Sequence, residues 1–267
     1  MLYDKNEILN QLSELIGVVN DLREKCPWDR KQTFESLRLL TIEEVYELSE
    51  SILNRNAAEI KIELGDLLLH IILYSRLAAE KEWFTLSDIC KSLVEKLKYR
   101  HPHIYGTTEV SDSEDVEKNW EKLKLNGVNR NKSVLSGVPP SLPSTVKAIR
   151  IQQKARSAGF DWEKPEQVWD KVEEEFKELK EELTKKNNRS QEKIEDEFGD
   201  LLFSVINAGR LYGIDPDTAL EKTNRKFILR FNYLEKEVLK KNINLHDMSI
   251  NEIESFWQKA KNRIATE

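Results

Sequence analysis

Carboxylates at helical spacing are the first residues in this sequence that could do chemistry. Glu174, Glu175 and Glu178 stand at i, i+1 and i+4, which gathers them within about 100° of one helix face. Glu197 and Asp200 stand at i and i+3, again one face. Only the short polar stretch Asn187-Asn188-Arg189 separates the two segments, and a short turn between long helices makes them antiparallel neighbours. Four or five carboxylates then converge on one point. Two like charges roughly 5 Å apart repel by about 3 kcal/mol at an effective dielectric of about 20. Such a cluster needs protons or a cation. Oxygen donors on rigid helices suit a hard divalent ion, Mg²⁺ first and Mn²⁺ second. A di-iron bundle needs Glu-x-x-His twice, and the chain has no such pair.

The same set occurs earlier in the chain. Glu43-Glu44-Val45-Tyr46-Glu47 matches Glu174-Glu175-Phe176-Lys177-Glu178, and Glu63-Leu64-Gly65-Asp66 matches Glu197-Phe198-Gly199-Asp200. Asn119-Trp120-Glu121-Lys122 pairs with Phe256-Trp257-Gln258-Lys259, and Cys26-Pro27-Trp28-Asp29 pairs loosely with Gly159-Phe160-Asp161-Trp162. The offsets of 131, 134 and 137 residues drift by loop-sized steps, as a tandem duplication would. A solvated acidic face is the ordinary state of one such stretch, but it has no reason to recur in order. Asp66 and Asp200 open the apolar runs 67–72 and 201–206, so both acids are expected beside core and partly desolvated. Gly65 and Gly199 sit in mid-helix, where glycine costs about 1 kcal/mol relative to alanine, and close helix approach is the expected reason. His70, one turn beyond Asp66, reads as a hydrogen-bonded helix residue.

A hard cation held by carboxylates commonly holds a phosphate chain as well. Cations are available for it. Lys171 precedes the Glu174/Glu175 pair by one turn and Lys193 precedes Glu197 by one turn. Lys226 and Arg230 are i, i+4, with Asn224 beside them, and Trp257 and Lys261 are i, i+4 on the last segment. Together they offer donors for phosphate oxygens and an aromatic plane for a base.

The elements that must position these groups are helices. Nine glycines and seven prolines in 267 residues, with 34% charged side chains, leave little room for a turn-rich β fold. Helices are expected near 4–25, 33–53, 57–80, 85–99 and 113–125, then near 143–157, 165–186, 190–212, 216–240 and 249–265. Ser111-x-x-Glu114 and Ser249-x-x-Glu252 fit capping boxes, and Asp215-Pro216 puts a cap before a first-turn proline. Pro139-Pro140-x-x-Pro143 closes a polar stretch that starts at Asn126, which predicts domains over 1–125 and 144–267 with a linker over 126–143. A net charge of −6 argues against a nucleic-acid polymer as partner. Cys26 and Cys90 make no disulfide framework. With no apolar stretch near membrane-spanning length and no signal-peptide pattern around Asp4 and Glu7, a soluble cytoplasmic protein is expected.

Cys26-Pro27-Trp28-Asp29, the paired acidic motifs, Arg100-His101-Pro102-His103 and the twin halves resemble the MazG family. These are nucleoside triphosphate pyrophosphohydrolases of the all-α NTP pyrophosphatase superfamily, here in two-repeat form. The resemblance implies an all-α fold, a homodimer with four-helix-bundle-like sites, and Mg²⁺-dependent hydrolysis of (deoxy)nucleoside triphosphates to monophosphate and pyrophosphate. It implies Glu175, Glu178, Glu197 and Asp200 as metal ligands and Glu174 or Glu175 as the group acting on the attacking water. Lys171, Lys193, Asp196, Lys226, Arg230 and Trp257 would line the nucleotide. Where the second half has Lys171, Lys193 and Asp196, the first has Leu40, Glu59 and Ile62, with Lys98, Arg100 and His103 as replacements on offer. The active site is therefore expected mainly in the second half. The competing readings are a nucleotide- or metal-binding module without turnover, and a pyrophosphatase restricted to dUTP or dCTP.

Overall fold

The computed structural model describes residues 4–108, 110–112, 115, 116, 119, 123, 133–185, 187 and 189–264. The chain divides into two compact units, residues 1–120 and 121–267. Among the described residues every regular element is helical. The expected 113–125 helix lies largely outside them, as do Glu114, Trp120 and residues 126–132 of the expected linker.

In the first unit α1 spans Lys5–Lys25, α2 Phe34–Leu53, α3 Ala57–Glu80, α4 Leu86–Arg100 and the one-turn α5 Pro102–Tyr105. Each long helix starts on a side chain that accepts orphan backbone N–H groups: Asp4, Thr33, Asn56 and Thr85. Thr33 and Thr85 complete capping boxes with Ser36 and Asp88. The α2–α3 turn needs left-handed backbone at Arg55, with φ 55°. Val19, Leu37, Ile72, Leu73 and Leu77 form the core, drawn from α1, α2 and α3. Arg23 locks the loop after α1. It donates to the carbonyls of Asp29 and Gln32 at 2.6 and 3.1 Å and pairs with Glu80 at 2.8 Å.

In the second unit α6 spans Ser144–Ser157, α7 Gln167–Thr184, α8 Gln191–Leu211, α9 Pro216–Lys240 and α10 Ile250–Ile264. The expected starts at Asp215 and Ser249 are present: Asp215 accepts from Thr218 N–H, and Ser249 and Glu252 cap each other. Helices α7 and α8 pack as a hairpin, as α2 and α3 do. Gln152 of α6 ties to α8 by donating to the Phe203 carbonyl at 2.8 Å. Leu234 and Val238 of α9 enclose Phe256 of α10 in a second cluster. Here too an arginine fixes the loop before the hairpin. Arg210 of α8 binds both oxygens of Asp161, one of them at 3.1 Å, and Arg156 stands 3.5 Å away. Gly159, with φ 91°, makes the turn into that loop.

Two expectations fail. A Cβ added at Gly65 or Gly199 would meet nothing within 4 Å among the described residues, so no described helix approaches closely there. The apolar runs are not wholly core either: Leu68 and Ile71 in the first and Leu202, Phe203 and Val205 in the second are exposed. Each hairpin packs one seam inward and leaves its other apolar face open.

Candidate active site

The hairpin seams explain which acids are brought together. On α7 the seam runs Val168, Val172, Glu175, Leu179, and on α8 it runs Ile194, Glu197, Leu201, Ser204. Glu175 and Glu197 thus occupy positions that heptad spacing reserves for apolar side chains. Glu175 is only 6% exposed. The equivalent seam in the first unit puts Glu44 and Glu63 inside in the same way, both half-buried.

Carboxylate oxygens of Glu175, Glu178 and Glu197 lie within 4.8 Å of one another. In the first unit the corresponding tight group is Glu44, Glu63 and Asp66. The membership differs: Asp200 stands exposed at the edge of its group, whereas Asp66 belongs to its own. Desolvation pushes the Glu197 carboxyl above the usual carboxylate range, and the charges of Glu178, Glu175 and Asp200 push it the same way. Glu44 is raised by desolvation and then by the charges of Asp66, Glu47 and Glu43, against a hydrogen bond with Glu63 that pulls it down; Glu63 is raised by desolvation and then by the charges of Glu47, Glu44 and Asp66. Hard oxygen donors at this separation fit a divalent ion such as Mg²⁺.

A second feature separates the two groups. Lys171 Nζ lies 2.7 Å from Glu175 Oε1 and 3.2 Å from Glu174 Oε2. Hydrogen bonding to Glu175, against a smaller cost of burial, holds this ammonium well above the usual lysine range. In the first unit Leu40 takes the equivalent position and packs against the core instead. Beside that group runs an open groove lined by Glu43, Tyr46, Glu47, Glu50, Ser51, Glu59 and Glu63, with no basic side chain on its walls among the described residues.

The remaining predicted nucleotide residues lie outside this knot. Lys193 and Asp196 are exposed on α8, and Lys226 is exposed on α9. Arg230 is half-buried, and its Nε has no hydrogen-bond partner among the described residues. Trp257 packs at 5.0 Å, ring centre to ring centre, against Phe227, so it is part of the α9–α10 cluster. Sequence reading missed two things. His70 is buried, its Nδ1 has no hydrogen-bond partner among the described residues, and burial lowers its pKa although Asp66 pulls the other way. The Lys171 pairing was readable, since lysine at i−3 and i−4 from two glutamates meets them on a helix surface.

An all-α protein with two helix hairpins, each closing on a triad of carboxylates, is the class that fold and site define. The MazG nucleotide pyrophosphohydrolase domain matches twice, at residues 32–105 and 163–234. The chain is 42% identical to the nucleoside triphosphate pyrophosphohydrolase/pyrophosphatase MazG of Thermotoga maritima, over 93% of this chain and 94% of that one. It is 34% identical to the nucleoside triphosphate pyrophosphohydrolase of Escherichia coli K12, over 95% of this chain and 98% of that one. A longer Bacillus subtilis protein, YabN, shares 38% identity over 95% of this chain and 52% of its own length. The chain belongs to the MazG nucleotide pyrophosphohydrolase family and is an enzyme of that class.

Proposed function

We propose that this chain hydrolyses (deoxy)nucleoside triphosphates to the monophosphate and pyrophosphate, with Mg²⁺, and that the second unit does the work. The observation that carries the assignment is the meeting of Lys171 with Glu174 and Glu175 beside Glu197, for which the first unit has no equivalent. Glu175, Glu178 and Glu197 would hold the ion, with Asp200 at its edge and Mn²⁺ as the alternative metal. When bound, the ion neutralises phosphate oxygens and draws them to the carboxylates. Glu174, whose side chain is 54% exposed, would accept a proton from a water directed at the α-phosphorus. The bond from water oxygen to α-phosphorus forms as the α–β phosphoanhydride breaks, and the electron pair leaves on pyrophosphate. Lys171 and Lys193 offset the charge of that leaving group. Lys226, Arg230 and Trp257 would hold the rest of the nucleotide, and Asp196 borders it.

The two domains are assigned to 1–125 and 144–267, joined by 126–143, with the first serving structure or regulation. A homodimer would cover the open apolar faces of the hairpins, where Leu64, Leu68, Phe198 and Leu202 are exposed. No described helix is long and apolar enough to cross a membrane, and the cytoplasm is the proposed location. ³¹P NMR with Mg²⁺ and a panel of nucleoside triphosphates tests the reaction. Monophosphate plus pyrophosphate supports it, diphosphate plus orthophosphate refutes α-phosphorus attack, and no turnover favours the binding module.

A further inference from the structure

We propose that Lys171 is a built-in stand-in for the divalent cation at Glu175, displaced when that cation binds and thereby released to the phosphates of the substrate. The inference rests on the metal site assigned above. Glu175 has a side chain only 8% exposed, and a carboxylate so deeply placed needs a positive partner in the metal-free protein. Lys171 is that partner, at 2.7 Å, and it also spans to Glu174 at 3.2 Å. Its own side chain is 39% exposed, so the flexible four-carbon stem can swing outward without moving the helix.

A divalent cation taken up by Glu175, Glu178 and Glu197 needs the same carboxylate that holds the ammonium. Like charges so close repel, and the carboxylate bonds the stronger cation. The ammonium then keeps only exposed Glu174 and lies one helical turn from the site, facing solvent and any triphosphate there. Metal uptake thus opposes an internal ion pair when substrate is absent, and substrate offsets that opposition by receiving the lysine. The consequence is positive coupling between metal and triphosphate, reciprocal by linkage. Leu40 gives the first unit no such device, so its triad of Glu44, Glu63 and Asp66 carries no internal competitor at that position.

Calorimetric titration of the full chain with Mn²⁺ alone tests this, in a Glu44→Gln background that silences the first triad. Lys171→Met and, as a second neutral variant, Lys171→Gln should each bind Mn²⁺ about tenfold more tightly than the lysine form, since a charge-assisted hydrogen bond no longer competes. Far-UV circular dichroism checks that the helices persist. A non-hydrolysable α,β-methylene triphosphate should tighten Mn²⁺ binding less in these variants than in the lysine form. Unchanged or weaker Mn²⁺ binding in both variants, with binding still lost in Glu175→Gln, overturns the stand-in role and leaves the metal site standing. Mn²⁺ binding indifferent to Glu175→Gln overturns the site and the stand-in together.

Discussion

The first hairpin closes Glu44, Glu63 and Asp66 on one another beside a groove walled by further glutamates, while the second closes Glu175, Glu178 and Glu197 beside Lys171. Both triads arise from one device, an acid at a seam position on each of two antiparallel helices. What differs is the neighbour one turn upstream. A leucine there joins the core, and a lysine there supplies charge. A triphosphate brings roughly four negative charges, so a groove walled by glutamates with no cation repels it more strongly than one that also carries a lysine. Both units keep a close group of three carboxylates, and Lys171 is the feature by which the proposed function tells the second from the first.

The sharpest way to break that contrast is to remove one seam acid from each unit. Glu175→Ala should lower kcat/KM for a nucleoside triphosphate at least about a thousandfold, as losing a group at the reacting centre does. Glu44→Ala should leave most of the turnover. Steady-state pyrophosphate release measures both, and the reverse pattern would move the active site to the first unit.

Acidity separates the units next. Glu44, Glu63 and Glu197 have carboxyls raised above their ordinary value, chiefly by desolvation. A raised carboxyl holds its proton more firmly in the folded state, so the associated stability is complete below the unfolded value and falls as pH rises through the raised one. Metal-free melting temperatures should therefore drop by about a few degrees from pH 4.5 upward, and added Mg²⁺ should restore them. Glu44→Gln removes one raised carboxyl and also the charge that helps raise Glu63, so it should flatten the fall more than Glu197→Gln does. Equal flattening in calorimetric scans would mean that Lys171 does not distinguish the triads in the metal-free protein.

Much of this was legible beforehand. Helix bounds follow from caps such as Asp215 and Ser249, which declare themselves by residue type. The convergence of Glu175 with Glu197 follows from heptad spacing on two segments joined by a short turn. Spacing does not reveal which acid completes a triad. Glu178 does so in one unit and Asp66 in the other, because i, i+3 and i+4 partners share a face and only packing chooses among them. Nor does an apolar run disclose its partner: Leu202 and Val205 read as core and stand exposed, since one hairpin buries only one side of each helix.

The arginine clamps differ between the units by a smaller amount. Asp161 is 20% and Arg210 9% exposed, whereas Glu80 is 34% and Arg23 13% exposed. Desolvation alone would raise the Asp161 carboxyl, but the hydrogen bonds from Arg210 and the Trp162 backbone overcome it and hold it below its usual range. Hydrogen bonding to Arg23 lowers Glu80 likewise. Both contributions are complete above the unfolded carboxylate range and are lost as pH falls through the lowered values. Asp161→Asn should cost about 2 kcal/mol in denaturant titration and Glu80→Gln about 1 kcal/mol, because the more exposed pair is better screened. Equal costs would show that burial does not rank the two clamps.

The smallest effect bears on whether the two hairpins are covered alike. Gly65 and Gly199 occupy matching mid-helix positions, and among the described residues nothing beyond the glycine's own helix lies within 4 Å of a Cβ added at either. If each helix faced only solvent there, alanine would stabilise it by up to about 1 kcal/mol through reduced backbone freedom. If a second copy rests on the apolar face beside Gly199, the added methyl meets that copy's backbone, and the dimer loosens even as the isolated helix gains. Gly65→Ala and Gly199→Ala therefore read the two faces independently, by melting temperature and by sedimentation equilibrium. The expected result is a weaker dimer for one or both variants. Higher melting temperatures with unchanged mass for both would place neither glycine in a contact between copies, and the matching glycines would then owe nothing to close approach.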